Sequence, residues 1–319
     1  MILIVKRPNN KQNFMKIKNL SALIIFVISI HICNAQNSDS LFSSAFLKYQ
    51  EGDFTGSITD YTAVISAKPD YINAYYNRAV AYDNAKLYDK ALSDFNHVIS
   101  LQPSSDAYLS RGQVYEHLTM YNKAIADYTL ALESDPSFYI ALVARADAYF
   151  KMGANEQSLK DYDKIIGIFP KYAPIYYKLG IVYDSIKELE QAILAYNLAI
   201  RYDSSGANVF YNRANDYNKL TKYELALVDY TKAITLDSTF VNAYFNRALI
   251  YDKIGNNEAA LSDYTKVILL NDKSPDVYYK RGILNKKLGR HEEACADIKK
   301  AIALGNKEAK KYYKLNCRK

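Results

Sequence analysis

The feature that most constrains this chain is that it repeats itself every 34 residues. Asn-Arg-Ala recurs at 77–79, 212–214 and 246–248, and Asp-Tyr-Thr at 60–62, 127–129, 229–231 and 263–265. Aligned on these anchors, the chain divides into eight units: 38–71, 72–104, 105–138, 139–172, 173–206, 207–240, 241–274 and 275–308. A period of this length is the mark of stacked supersecondary units, none of which can bury its apolar face alone.

With each unit numbered from 1, position 8 is small throughout (Ala45, Ala79, Gly112, Ala146, Gly180, Ala214, Ala248, Gly282), and so is position 20, from Ser57 to Ala294. Position 24 is aromatic in the first seven units, from Tyr61 to Tyr264, and position 32 is proline in the first four: Pro69, Pro103, Pro136 and Pro170. Apolar spacings of three and four in each half predict two amphipathic helices per unit. Small residues at 8 and 20 let those helices approach closely. Gly52, Gly153, Gly255 and Gly289 stand where the first helix must turn. Proline at 32 predicts the end of the second helix, because it breaks the hydrogen-bond ladder.

This pattern resembles the tetratricopeptide-repeat (TPR) family: aromatic at 4, small at 8, Tyr at 11, small at 20, aromatic at 24, Pro at 32. The resemblance covers residues 38–308. It implies an all-α, right-handed superhelical solenoid of about eight helix-turn-helix units. The segment 309–319, which overlaps the run Glu-Ala-Lys-Lys-Tyr-Tyr-Lys-Leu-Asn at 308–316, is read as a C-terminal capping helix. It also implies that the first helix of each unit lines a concave groove through positions 2, 5, 6, 9, 12 and 13. The groove residues so implied are Tyr76, Asn77, Asp83, Tyr177, Asp184, Tyr211, Asn212, Asn215, Phe245, Asn246 and Asp252. Aromatic rings and amides suit an extended peptide, and the acids at position 12 point to a neutral or basic one. The family's carboxylate-clamp branch needs Lys at position 5, which no unit has.

Two further constellations stand out. Position 7 is Arg in six units and position 23 is Asp in seven, and unit 5 lacks both, carrying Leu179 and Ala195. Joint loss predicts pairing within a unit: Arg78–Asp94, Arg111–Asp127, Arg145–Asp161, Arg213–Asp229, Arg247–Asp263 and Arg281–Asp297. The rival reading is an Arg row that binds an anionic ligand. The second constellation is Cys295 in the last unit and Cys317 in the cap, two thiols left in an exported chain, which predicts a disulfide stapling the cap to the last repeat.

The expectation of export comes from the N-terminus. Lys6, Arg7, Lys11, Lys16 and Lys18 precede a 14-residue apolar run, Leu20–Cys33, followed by small residues before Gln36. That order reads as a secretory signal peptide over 1–35, with Met15 as the starting residue of a more usual n-region. The run is short for a membrane anchor, and His31 and Ile32 suit a lipidated Cys33 poorly. Of the net charge of +7, five leave with the signal, and residues 298–319 hold +7, so the body between carries −5. An acidic body is a poor nucleic-acid surface.

No HExxH, CxxC pair, glycine-rich phosphate loop, EF-hand loop or GxSxG elbow occurs, and histidines follow no repeat position. The expectation is a non-enzymatic protein-interaction scaffold or adaptor of the cell envelope, without metal or cofactor, spanning no membrane once cleaved. A glycan-binding protein and a purely structural envelope component are the alternatives.

Overall fold

A computed structural model describes residues 38–317. The expected signal peptide, with Cys33 and the alternative start at Met15, lies outside the described residues. Every element among the described residues is helical, and each repeat supplies a first (A) and a second (B) helix. The chain divides into two compact units between Ala154 and Asn155. The first unit holds α1 (38–50), α2 (Phe54–Ala67), α3 (Ile72–Asn84), α4 (Tyr88–Leu101), α5 (Ser105–His117), α6 (Tyr121–Ser134) and α7 (Tyr139–Lys151). The second holds α8 (Asn155–Ile168), α9 (Ala173–Ser185), α10 (Leu189–Tyr202), α11 (Ala207–Lys219), α12 (Tyr223–Leu236), α13 (Val241–Lys253), α14 (Asn257–Leu270), α15 (Pro275–Lys287), α16 (His291–Ala303) and α17 (Lys307–Asn316). The division falls inside the fourth repeat.

Within each unit the packing follows the periodic positions. The aromatic at 24 lies against the small residue at 8 of its own repeat: a Cβ added to Gly180 would sit 2.2 Å from the Tyr196 ring, and one added to Gly112 2.5 Å from Tyr128. Tyr61, Tyr128, Tyr162, Tyr196, Tyr230 and Tyr264 are fully buried, each contributing roughly 2 kcal/mol of hydrophobic burial. Positions 3 and 10 of each following A helix close over these rings. Ala74 packs with Tyr61 and Val64, and Ala243 and Ile250 with Tyr230. The sequence reading missed positions 3 and 10, although their run of small and aliphatic residues was there to be read.

The turn after each A helix contains one residue in the left-handed region. Where the sequence provides Gly52, Gly153, Gly255 and Gly289 this is free of strain, but Lys86, Thr119, Lys187 and Thr221 adopt the same conformation (φ 58–66°). The geometry of the turn is therefore imposed by helix packing, not by glycine.

The B helices end at the same register with or without proline. In repeats 5, 6 and 7, which lack Pro at 32, position 31 is Asp203, Asp237 or Asn271. Each accepts a hydrogen bond from the backbone N–H two residues on, at 2.9, 2.8 and 3.1 Å. An Asx turn thus marks the stop in these repeats, as it also does at Asp135 beside Pro136 in repeat 3, and its hydrogen bonds from Ser205 and Thr239 hold the Asp203 and Asp237 carboxyls below their ordinary value.

The capping helix α17 starts at Lys307, before the expected 309, because Asn306 caps it by accepting from the Ala309 N–H at 2.7 Å. Ala309, Tyr312 and Tyr313 pack with Ile298, Ala301 and Tyr278. Cys295 of α16 and Cys317 stand with Cα atoms 5.7 Å apart and Sγ atoms at bonding distance.

Candidate partner-binding face

The predicted Arg–Asp pairs form as bidentate forks. Arg213 donates through Nε and Nη2 to Asp229, both at 2.7 Å. The same fork joins Arg78 to Asp94, Arg111 to Asp127, Arg247 to Asp263 and Arg281 to Asp297, at 2.6–2.9 Å. Arg145 belongs to the first unit and Asp161 to the second. In repeat 1, where position 7 is Ser44, Asp60 is held instead by Ser44 and Lys48, each at 2.7 Å. In repeat 5 Leu179 and Ala195 are both buried, an apolar contact in place of the ionic one.

Each fork reaches further than the sequence indicated. The remaining Nη1 donates to position 25 of the preceding repeat: Arg78 to Thr62, Arg111 to Asn96, Arg145 to Thr129, Arg213 to Asn197, Arg247 to Thr231 and Arg281 to Thr265. Aromatics at positions 4 and 11 flank the guanidinium, as Phe210 and Tyr217 flank Arg213 at 5.7 and 5.8 Å. The arginines are thereby satisfied on every side, which leaves the rival reading of an anion-binding row without support.

The residues assigned to the groove share the A-helix face, but many of them bind each other. The amide at position 6 reaches back to the preceding repeat. Asn212 donates to the Tyr177 hydroxyl at 3.2 Å and bonds Tyr196; Asn246 donates to the Tyr211 hydroxyl at 3.2 Å and to Asn215 at 3.0 Å; Asn77 bonds Tyr61. Tyr76 pairs with Ser110 at 2.8 Å. These amides are half-buried links between repeats and not free donors for a partner. Burial pushes all of the enclosed phenols up, Tyr61 to about 12.

The acids at position 12 are also engaged. Asp83 meets His117 at 2.8 Å, Asp252 meets Lys287 at 3.6 Å, and Glu116 and Asp184 are in contact with Lys151 and Lys219. Every one of these bases occupies position 13 of the following repeat, a row the sequence reading did not single out. The acids of position 12 are therefore paired in place, which removes their pull on a basic segment and leaves the neutral one of the two expected. What remains accessible is ring and aliphatic surface at position 5 and at Val80, Ile181, Leu249 and Ile283 of position 9, edged by exposed polar residues of position 2 such as Asn208 and Asn242. Near the C-terminal end Phe245, Leu249, Pro275, Tyr279, Lys280 and Lys307 help to line a cavity of about 610 Å³. Among the described residues no group of three or more His, Cys, Asp or Glu side chains is placed to hold a metal ion, and no helix is long and apolar enough to cross a membrane.

Family models described as tetratricopeptide repeat match residues 72–105, 105–138, 139–172, 173–205, 241–274 and 275–304, and one described as TPR repeat matches 47–84 and 214–255. No curated protein matches the chain. Among solved structures, YrrB, titled a TPR protein with an unusual peptide-binding site, is 24% identical with a TM-score of 0.52 over 59% of this chain and 97% of its own. The MamA protein is 23% identical with a TM-score of 0.50, over 54% and 94%. The Cut9–Hcn1 hetero-tetramer of the APC/C is 15% identical with a TM-score of 0.51, over 88% and 56%. At such identities the likeness is one of fold.

The position-6 amide has a testable consequence. Tyr264 is followed at position 6 of the next repeat by Lys280 instead of Asn, and its hydroxyl is buried without a hydrogen-bond partner. Lys280→Asn should supply the missing donor and raise unfolding stability in urea by about 1 kcal/mol. A loss of stability would show that the amide rule does not govern this junction.

Proposed function

The chain belongs to the tetratricopeptide-repeat family, and we propose that it is a non-enzymatic interaction scaffold of the cell envelope that receives an extended segment of a partner protein on its A-helix face. The observation that carries this reading is the division of labour on that face. The amides of position 6 and the acids of position 12 are tied up between neighbouring repeats, while position-5 rings such as Tyr211, Phe245 and Tyr279 stay half-exposed in register, leading to the cavity beside Leu249 and Lys280. Such a surface offers large, pre-ordered aromatic area at low entropic cost. It suits a segment with apolar side chains and little net charge. YrrB's peptide-binding site belongs to YrrB; the argument for this chain rests on its own residues.

A photo-crosslinking residue at exposed Asn208 or Asn242 leaves the packing between repeats intact. In an envelope extract these positions should crosslink one protein partner, whereas the outward-facing Leu194 and Val228 should not. Crosslinking confined to Leu194 and Val228, or none at all, would contradict the reading.

Export and the Cys295–Cys317 bridge belong to the same proposal. Closing that loop would stabilise the cap by roughly 3 kcal/mol through loss of unfolded-chain entropy. Intact-mass measurement of the protein from its native compartment should give a chain starting at Gln36 and lacking two hydrogens. A retained leader, a lipid on Cys33 or two free thiols would each overturn the corresponding part.

A further inference from the structure

Position 10 of the A helix is a core position. Ala81, Val114, Ala148, Val182, Ile250 and Leu284 fill it in six repeats, all buried. In repeat 6 it is Asp216, whose exposure is 0%. No ladder pair accounts for a carboxyl there, and burying one without full compensation is costly.

Its surroundings account for half of it. Oδ1 accepts from Lys219 Nζ at 2.9 Å, one turn on in α11, and Lys219 also contacts Asp184 on α9 of the preceding repeat. Oδ2 is buried and, as a carboxylate oxygen, has no donor among the described residues. The Asp184 carboxyl shares the Lys219 ammonium with Asp216, which places the two acids side by side. The other titratable groups facing the cluster are the phenols of Tyr196 on α10 and Tyr230 on α12, both pushed up by burial and so neutral at ordinary pH. Two carboxyl groups therefore share one ammonium. With a proton on Asp216, Oδ2–H donates to Asp184 and every polar atom is matched. Without it, two carboxylates share a single ammonium, one of them, Asp216, fully buried.

We propose that Asp216 is a proton-operated latch between repeats 5 and 6, joining α11 to α9 through a carboxyl–carboxylate hydrogen bond to Asp184 in mild acid and releasing that bond when the proton leaves. The latch adjoins repeat 5, whose own Arg–Asp pair is replaced by Leu179 and Ala195, while the junction with repeat 6 keeps the link from Arg213 to Asn197. It sits on the same face as Tyr177 and Asn212, which makes the spacing of that face responsive to the acidity of its compartment. The inference does not depend on what the face binds.

Burial, opposed by the hydrogen bond from Lys219 and reinforced by the charge of Asp184, pushes the Asp216 carboxyl up to about 6. An acid raised in this way binds its proton more tightly folded than unfolded. Its contribution to stability is therefore full below the ordinary carboxylate value of 3.8, falls as pH rises from there through about 6, and levels off above. Amide exchange in α9 and α11, expressed as protection factors at pH 5 and pH 8, reads this directly. Wild type should lose at least about tenfold protection between the two. Asp216→Val, which restores the side chain found at position 10 in repeats 3 and 5, should change less than about twofold. Equal pH dependence in both proteins would overturn the proposal. Should Asp216→Val fail to fold, the carbon-13 titration of the Asp216 carboxyl in wild type decides: a midpoint near 6 supports the latch, and one near 4 removes it.

Discussion

The guanidinium at position 7 is the contact on which the repeat depends. It joins three helices at once: its own A helix, its own B helix through the fork to Asp, and the preceding B helix through Nη1 to Thr or Asn at position 25. Aromatic rings at 4 and 11 shield it. The pairs are mostly buried, with Asp side chains 5–9% exposed, so removing one partner is expected to cost about 3 kcal/mol, while removing both can be nearly neutral. Repeat 5 illustrates the second case, since Leu179 and Ala195 replace the pair and both are buried. Ion pairs of this kind add less to net stability than to orientation: a planar fork fixes the angle between helices more narrowly than apolar contact does.

A second set of contacts transmits that geometry from repeat to repeat. The phenol at position 24 needs a partner because it is buried, and the amide at position 6 of the next repeat provides it for Tyr61 and Tyr196, while Tyr230 donates to Asn215 of its own repeat, which in turn accepts from Asn246. Where the next repeat has no Asn, the chain compensates locally, as when Tyr128 donates to Glu116 at 2.8 Å, or leaves the phenol unmatched, as at Tyr264. Position 6 thus follows position 24 across a repeat boundary. The partner face inherits its character from this arrangement: polar groups are taken up in holding neighbouring repeats together, and aromatic surface is what remains.

Periodicity made the helices, the small positions and the Arg–Asp pairing legible, because each recurs at fixed spacing and unit 5 supplied a natural double deletion. The reach of the arginine to position 25, the amide–phenol links and the rungs between positions 12 and 13 were not legible. They cross repeat boundaries, and a reading within one unit assigns the same Asn and Asp residues to a ligand. Asp216 stands out in the sequence as the one polar residue in the apolar run at position 10, but only the stacked helices show what surrounds it. The B-helix stops were half legible: proline announces itself, whereas an Asx turn at Asp203 or Asp237 requires knowing where the helix already ends.

A double-mutant cycle on Arg213→Leu and Asp229→Ala, read by urea unfolding, tests the central claim most directly. If the fork organises the repeat, each single change costs about 3 kcal/mol, and the double variant, which carries the residues of repeat 5, recovers at least about 2 kcal/mol of their sum. Additivity within about 0.5 kcal/mol would mean that the two side chains act independently and that the stacking of rings and small residues alone sets the helix geometry.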